Sequence, residues 1–223
     1  MRKEEKMSFN IAIDGPAGAG KSTIAKKLAA MLGYIYVDTG AMYRAMALFL
    51  SESGIDLSDE TQVGETCEGA DITLTYEEGT QVVLLNGRNV NGLIRTEEVG
   101  KAASLTSKVP RVRERLTRLQ QELAARENVV MDGRDIGTVV LPNADVKVFL
   151  TASSAERARR RYEELLQKGE TPVLEQIEAD IIARDEQDMK REIAPLVQAK
   201  DAVLIDSSDM DIDQVIERIK GLM

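Results

Sequence analysis

The stretch Gly15-Pro-Ala-Gly-Ala-Gly-Lys-Ser22 decides the fold of this chain, because it matches the pattern G-x-x-x-x-G-K-[ST] of a phosphate-binding loop. Glycines in such a loop let backbone N–H groups converge on phosphate oxygens without a Cβ in the way. Lys21 would supply a positive charge to the β- and γ-phosphates, and the Ser22 hydroxyl would be a ligand of Mg²⁺. A helix that starts here directs its positive end at the same anion. The stretch therefore predicts a protein that binds a nucleoside triphosphate together with Mg²⁺.

Short apolar runs alternate with helical segments on both sides of this loop. The run Phe9–Ile13 directly precedes the loop and predicts a buried strand, and apolar residues recur at helical spacing after it until Gly33. Four more runs predict buried strands: Tyr34–Val37, Val129–Met131, Val146–Leu150 and Ala202–Ile205. This alternation is typical of an α/β fold in which helices cover both faces of a parallel sheet.

The middle of the chain departs from that alternation. Ile72–Tyr76, Gln81–Leu85 and Arg88–Val90 are short strand-like segments separated by turn residues, including Asn86-Gly87. Asn-Gly between such segments indicates a hairpin, because both residues tolerate a positive φ. We therefore expect a small antiparallel insert over roughly residues 63–95.

The composition excludes several kinds of site. The chain has 223 residues, a formal net charge of −9 and no histidine, so histidine triads and imidazole proton shuttles are ruled out. Cys67 is the single cysteine, which rules out an intrachain disulfide and a cysteine metal cluster. An acidic chain does not favour binding to a nucleic-acid polymer. No apolar stretch approaches the ~18 residues of a membrane span, so no membrane partner is expected.

Arginines mark four places where a second phosphate could bind. A guanine-reading Asn-Lys-x-Asp motif does not follow the run Val146–Leu150, so a GTPase is not favoured. The four places are Arg44 at the start of a helix, Asp132-Gly-Arg-Asp135 at the end of a strand, the set Arg184, Asp188 and Arg191, and the basic run Arg157–Arg161. Offsets of 0, 4 and 7 would put the set of three on one helix face. Strand ends of a parallel sheet are where ligands bind, so the four places point to one cleft.

Each of these places also has an ordinary structural explanation. Arg184 and Asp188 could form a surface ion pair worth a few tenths of a kcal/mol. Arg157–Arg161 could be a solvated helix face, and an arginine such as Arg44 is common early in a helix. Asp132-Gly-Arg-Asp135 is harder to explain so, because three charges after a buried strand require a ligand or a partner. The joint occurrence of the four places favours a phosphorylated acceptor.

Six segments together resemble the bacterial-type cytidylate kinases of the nucleoside monophosphate kinase family. They are Ile13–Thr23, Asp38–Arg44, Ile94–Val99, Pro110–Arg113, Asp132–Asp135 and Ala194–Leu196, and the resemblance spans residues 9–220. It implies a P-loop kinase fold with a parallel sheet core flanked by helices, a helical lid and a small antiparallel insert in the acceptor region. It also implies transfer of the γ-phosphoryl group of ATP to CMP or dCMP in the cytoplasm.

The resemblance carries binding roles over to residues of this chain. It implies that ATP binds to the loop and the first helical residues, namely Gly15, Pro16, Ala17, Gly18, Ala19, Gly20, Lys21, Ser22 and Thr23, with Ser22 also on Mg²⁺. It implies that CMP binds to Thr39, Arg44, Ser104, Arg113, Arg134, Asp135, Arg184, Asp188 and Arg191. Thr39 stands where serine is common in the family, and the hydroxyl group is retained.

Within the implied CMP site, Ser104, Arg113 and Asp135 would face the cytosine. A carboxylate accepts from the N4 amine, whereas arginine and serine donate to N3 and O2. Uracil presents an acceptor at O4 and would leave a buried carboxylate opposed to a lone pair, which disfavours UMP. Arg184 and Asp188 would hold the sugar, and the acceptor phosphate would lie on Arg44, Arg134 and Arg191.

The expected catalytic residues are cationic, because phosphoryl transfer requires positioning and charge neutralisation more than a general base. They are Lys21, Arg134, Arg157 and Arg161, the last two being four residues apart and on one helix face. Asp132 has two open roles: it could steer Mg²⁺ through water, or it could cap the turn that follows.

The expected organisation is a disordered polar leader, residues 1–7, and one kinase domain, residues 8–223. Its core comprises 8–62, 96–152 and 192–223, its acceptor insert about 63–95 and its lid about 153–172. The leader is charged and lacks the apolar region of a signal peptide. The partners would be small molecules, and a monomer is expected.

Two other functions stay open on the sequence. One is a P-loop kinase for another small acceptor, such as UMP or a non-nucleotide. The other is a nucleotide-binding regulator without turnover, which would bind ATP but have an impaired acceptor site.

Overall fold

The computed structural model describes residues 8–77 and 80–223, and these divide into two compact units. One unit comprises the described residues up to Ile35 together with Glu127–Met223, and the other is Tyr36–Arg126. The predicted leader 1–7 and part of the turn predicted between the first two hairpin strands lie outside the described residues. This division into two units does not test the predicted limits of core, insert and lid, which stay a prediction.

Eight strands and eight α-helices make up most of the described chain. The strands are β1 (Asn10–Asp14), β2 (Ile35–Asp38), β3 (Ile72–Glu77), β4 (Thr80–Leu85), β5 (Arg88–Asn89), β6 (Val129–Gly133), β7 (Val146–Thr151) and β8 (Val203–Asp206). The helices are α1 (Lys21–Leu32), α2 (Thr39–Glu52), α3 (Glu60–Thr66), α4 (Glu97–Thr106), α5 (Pro110–Ala124), α6 (Ser154–Gln167), α7 (Leu174–Met189) and α8 (Ile212–Lys220). A 3₁₀ turn over Cys67–Gly69 and a π-helical turn over Ile136–Val140 complete them.

The predicted buried strands form one five-stranded sheet in the order β2-β6-β1-β7-β8. β1 pairs in parallel with β6 and with β7, and β7 pairs in parallel with β8. Ile11 and Ile13 of β1 are fully buried because helices cover the sheet and both of its neighbours are strands. The α/β fold predicted from the alternation of apolar runs is confirmed.

Two glycines set the ends of α1, which follows the phosphate-binding loop. Gly20 precedes the helix with φ 86°, and Gly33 ends it with φ 68° while its N–H donates to the carbonyl of Ala29. Ile24 and Leu28 are buried on the inner face of this helix. The loop therefore passes directly from a buried strand into a well-anchored helix.

The second unit contains the predicted antiparallel insert. Strands β3, β4 and β5 form a three-stranded sheet in that order, with Thr75 opposite Val82. Asn86 and Gly87 turn the chain with φ 49° and 77°, as the Asn-Gly signal predicts. The first residues of the predicted insert are helical rather than antiparallel, because the end of α3 and the 3₁₀ turn occupy 63–69.

Among the residues that the structure describes, no helix has both the length and the apolar character needed to cross a bilayer. Cys67 is a free, buried thiol in the second unit, and its Sγ donates to the carbonyl of Gly64 at 3.2 Å. Burial raises the pKa of this thiol, so it stays protonated and unreactive.

Candidate active site

The glycine loop is held tightly against the sheet. A Cβ atom on Gly15, which has φ 148°, would lie 1.9 Å from the carbonyl oxygen of Leu150 in β7. A Cβ on Gly18 would lie 3.3 Å from the Cβ of Arg157. These positions need glycine for close approach as well as for backbone conformation, which the motif by itself does not distinguish.

Lys21 lies inside the loop rather than in solvent. It is 6% exposed, and its Nζ donates to the carbonyl oxygen of Pro16 at 2.6 Å. Burial, reinforced by the positive charge of Arg134, lowers the pKa of Lys21 to about 7, although Asp132 and Asp14 oppose this shift. The ammonium group is therefore placed among the backbone groups of the loop, where a phosphate would replace the carbonyl as its partner.

Ser22 and Asp132 bring a hydroxyl oxygen and a carboxylate together beside the loop. The Ser22 hydroxyl donates to Oδ2 of Asp132 at 2.8 Å, and Asp132 is 5% exposed near the end of β6. Mg²⁺ prefers oxygen ligands and is held in such sites by one or two side chains together with substrate phosphates and water. Within residues 8–77 and 80–223, no three acidic or cysteine side chains gather into a complete metal cage. The hydroxyl and carboxylate thus fit a nucleotide-bound Mg²⁺, the first of the two roles left open for Asp132.

Arg157 joins α6 to the loop. Its guanidinium donates to the carbonyl oxygens of Ala152 and Ala17, both at 2.9 Å, and pairs with Oδ2 of Asp185 at 2.6 Å. Arg157 is 5% exposed, whereas Arg161 pairs with Glu164 at 2.8 Å on the surface. The two arginines of one helix face therefore have different surroundings, and their shared catalytic role stays a prediction.

Asp188 of α7 lies among three arginines, Arg134, Arg184 and Arg191. Asp188 is 2% exposed; its Oδ2 accepts from Nε of Arg134 at 2.8 Å, and its Oδ1 pairs with Nη2 of Arg191. Arg184 keeps an exposed part, and the desolvation of the rest together with the positive charge of Arg134 lowers its pKa, whereas the charge of Asp188 opposes this shift. Three guanidinium groups around one carboxylate leave an excess of positive charge, which suits a phosphate.

Two sequence interpretations of this cluster are wrong. Arg191 does not share a helix face with Arg184 and Asp188, because α7 ends at Met189. No helical geometry resumes further on, where Ala194 adopts φ 49° before Pro195, a position that disfavours the helical region. Asp188 is also not part of an exposed surface pair, because it is buried between Arg134 and Arg191.

Four of the residues predicted to bind CMP belong to the second unit. Arg113 of α5 is 5% exposed; its guanidinium lies 5.4 Å from the centre of the Tyr43 ring and donates to the carbonyl of Ser107 at 3.2 Å. The Ser107 hydroxyl in turn donates to the carbonyl of Ser104 at 3.1 Å. Thr39 is buried as the first residue of α2. The structure thus links Arg113 and Ser104 through a single neighbour.

Arg44, the fourth of these residues, folds back over the start of α2. Its Nη1 would lie 3.2 Å from a Cβ placed on Gly40, and Oδ1 of Asp38 would lie at the same distance. Asp38 caps the helix by accepting from the N–H of Ala41 at 2.9 Å, and it pairs with Arg95 at 2.5 Å. Gly40 therefore leaves room for the Arg44 side chain.

The remaining predicted CMP residues, Arg134, Asp135, Arg184, Asp188 and Arg191, belong to the first unit. Asp135 is 5% exposed and directly precedes the π-helical turn.

Sequence reasoning missed two buried carboxylates of the first unit. Asp14 ends β1 and accepts from the N–H groups of Ile136 and Gly137, both at 2.7 Å. Asp185 holds Arg157 against the loop. The signal for Asp14 was its place directly before Gly15, whereas the partner of Asp185 is 28 residues away and left no local signal.

The parallel sheet, the glycine loop after β1 and the buried Lys21 define a P-loop kinase fold. A solved structure described as an uncharacterized protein from Eubacterium ventriosum has this fold: it covers 96% of this chain and 97% of its own, with TM-score 0.52 and 12% identity. At that identity, the likeness concerns the fold alone.

The family model described as cytidylate kinase matches residues 11–223. The cytidylate kinase of Shouchella clausii is 52% identical over 215 residues, covering 96% of this chain and 96% of that protein. The cytidylate kinase of Caldicellulosiruptor bescii is 51% identical over 214 residues, covering 96% of this chain and 95% of that protein. This chain belongs to the cytidylate kinase family.

Proposed function

We propose that this protein transfers the γ-phosphoryl group of ATP to CMP or dCMP, giving ADP and CDP or dCDP. The observation that carries the proposal is the phosphate-binding loop, with Lys21 buried inside it and Ser22 hydrogen-bonded to Asp132, in a member of the cytidylate kinase family. The same groups would bind the triphosphate in a donor complex.

The chemistry needs charge neutralisation in a water-poor site. Lys21 would contact the β- and γ-phosphates, and Arg134 would stabilise negative charge on the transferring group. Mg²⁺, when bound through Ser22 and near Asp132, supplies further neutralisation of the phosphate oxygens. The acceptor phosphate is largely deprotonated near neutral pH, since its second pKa is about 6, so no general base is required.

The acceptor assignment rests on residues of both units. In the first unit, the cluster of Arg134, Arg184, Asp188 and Arg191 would bind the sugar and phosphate of CMP, supported by its excess of positive charge. Asp135 would accept from the cytosine N4 amine. For the second unit, the family resemblance assigns Ser104 and Arg113 to the base, Arg44 to the acceptor phosphate and Thr39 to CMP binding.

We also propose that the protein acts in the cytoplasm, as a monomer, on small molecules and not on a nucleic-acid polymer or a membrane. The formal net charge of −9 supports the proposal that the protein does not act on a nucleic-acid polymer or a membrane, since polyanions repel an acidic surface. Light scattering coupled to size-exclusion chromatography tests the monomer: a mass of twice the chain would contradict it.

The first experiment measures ADP formation from ATP and Mg²⁺ with CMP, dCMP, UMP, AMP, GMP or dTMP offered separately. We expect turnover with CMP and dCMP well above that with the other nucleotides. Turnover with a different acceptor would support the ATP site but contradict the assignment of Ser104, Arg113 and Asp135 to cytosine. ATP binding without turnover on any nucleotide would favour a non-nucleotide acceptor or the regulator.

Asp135→Ala is expected to reduce kcat/KM for CMP about 10–100-fold, because cytosine would lose the buried carboxylate that accepts from its N4 amine. The dissociation constant for ATP should change less than about threefold. Steady-state kinetics and calorimetry measure the two quantities. Equal losses for both nucleotides would contradict the role of Asp135 in reading cytosine.

A further inference from the structure

Asp14 is a buried carboxylate that the reaction outlined above does not use. It is 4% exposed at the end of β1, and its two oxygens accept from two successive backbone N–H groups, Ile136 and Gly137, each at 2.7 Å. Removing a carboxylate from water is unfavourable unless hydrogen bonds or opposite charges compensate for the lost hydration. Two hydrogen bonds to neutral amides offset this cost only in part, which suggests that Asp14 serves more than stability.

The position of this carboxylate links two functional segments. Asp14 directly precedes Gly15 of the phosphate-binding loop, and Ile136 directly follows Asp135. The pairing of β1 with β6 ends at Asp14 opposite Gly133, so Arg134 and Asp135 lie just beyond the last strand pair. Directly after Asp135, the N–H groups of Ile136 and Gly137 donate to the Asp14 carboxylate and tie this backbone to the end of β1. Arg134 and Asp135 are therefore held between the end of a strand and a side-chain clamp.

The geometry requires an ionised carboxylate rather than an amide. Two N–H donors need two acceptors, and an asparagine offers one acceptor and one donor. Gly137 allows the close approach, because a Cβ there would lie 3.3 Å from Oδ2 of Asp14 and 3.3 Å from Cδ of Lys147. The hydrogen bond between Gly137 and Asp14 thus depends both on the carboxylate and on the absence of a side chain at Gly137.

The charges around Asp14 make this clamp sensitive to acid. Burial raises the pKa of Asp14 to about 6, and the negative charge of Asp135 adds to the shift; the two amide hydrogen bonds and the charge of Lys21 oppose it. The ammonium of Lys147, whose stem packs at the same place, is held by Asp201 at 2.6 Å. Protonation would convert one acceptor of the clamp into a donor facing an N–H group.

We propose that Asp14 is a positioning residue for the acceptor nucleotide: its carboxylate fixes the backbone after Asp135 and so orients Arg134 and Asp135 toward CMP. This inference rests on the proposed function, in which those two residues bind the acceptor. Misplacement of a binding group by about 1 Å is enough to cost on the order of 100-fold in rate.

The test replaces the carboxylate by the amide of the same shape, Asp14→Asn. We expect kcat/KM for CMP to fall about 100-fold, while the dissociation constant for ATP changes less than about threefold. Gly137→Ala places a Cβ 3.3 Å from Oδ2 of Asp14 and so disturbs the same hydrogen bond. It should also lower kcat/KM for CMP, while the dissociation constant for ATP stays nearly unchanged. Asp145→Asn is the matched control, because Asp145 accepts from the N–H of Asn10 at 2.7 Å at the opposite end of β1. It should retain wild-type kinetics.

A pH profile separates positioning from a merely structural role. The acceptor phosphate titrates near pH 6 in every variant, so the ratio of wild-type to Asp14→Asn activity isolates Asp14. This ratio should fall toward one as the pH is lowered through about 6. A ratio that is constant from pH 5 to pH 8, CMP kinetics within threefold of wild type, or equal losses for ATP and CMP would each overturn the proposal. If the wild-type protein does not phosphorylate CMP, the proposed function itself fails, and this is measured first.

Discussion

Lys21→Met is expected to reduce the turnover of ATP with CMP about 1000-fold, because the loop loses the buried positive charge of its own lysine. The Lys21 ammonium donates to the carbonyl of Pro16 at 2.6 Å and is 6% exposed, so a solvent cation cannot readily replace it. Methionine keeps the length and the apolar character of the side chain without its charge. Single-turnover measurements at saturating ATP and CMP give the rate of the chemical step directly.

Lys147→Met is the matched control for this variant. Lys147 is 7% exposed, and its Nζ also donates to the carbonyl of a proline five residues earlier, Pro142. It additionally pairs with Asp201 at 2.6 Å, far from the loop in sequence. We expect lower stability with nearly unchanged turnover. Equal losses of turnover in the two variants, or a Lys21→Met rate within tenfold of wild type, would contradict the role assigned to the loop.

Gly15→Ala is expected to lower the free energy of unfolding by about 4 kcal/mol or more, the range of exceptional substitutions. The new Cβ would lie 1.9 Å from the carbonyl oxygen of Leu150, well inside any permissible contact distance. Leu150 cannot move aside easily, because it is paired with Ile205 of β8 and belongs to an inner strand of the sheet. Urea unfolding followed by circular dichroism measures the loss, and a chain that fails to fold also meets the expectation.

Gly33→Ala controls for backbone conformation alone. Gly33 has φ 68°, and no atom lies within 4 Å of a Cβ placed on it. We expect a loss of about 1–2 kcal/mol, the cost of a left-handed residue with a side chain. If Gly15→Ala costs no more than Gly33→Ala, the close approach to β7 is not what requires glycine at the start of the loop.

Much of the site could be inferred from short stretches of sequence. The loop Gly15–Ser22 and the turn Asn86-Gly87 were recognised because each depends on neighbouring residues, whose conformational limits are local. Asp132 was harder to assign, since a strand-end carboxylate fits two roles and the sequence does not show its partner. Its hydrogen bond with Ser22 joins residues 110 apart in the chain.

Periodicity was a weaker guide where the chain leaves a regular element. Spacing placed Arg191 on the face of a helix that ends at Met189, because periodicity assumes that the helix continues. Spacing also treated Arg157 and Arg161 alike, whereas one is buried against the loop and the other pairs with Glu164 on the surface. Residues on one helix face differ in burial along the helix, and only the packing of the helix shows which of them are buried.

By itself, the sequence determined that this chain has a parallel α/β core, a phosphate-binding loop and an antiparallel insert, since glycine patterns and apolar periodicity are local properties. Only the tertiary structure decided how the charges are used. Asp188 is buried between Arg134 and Arg191, and Asp14 reaches the backbone after Asp135. The burial and partner of a charged group depend on segments far away in sequence, and these meet only when the sheet has formed.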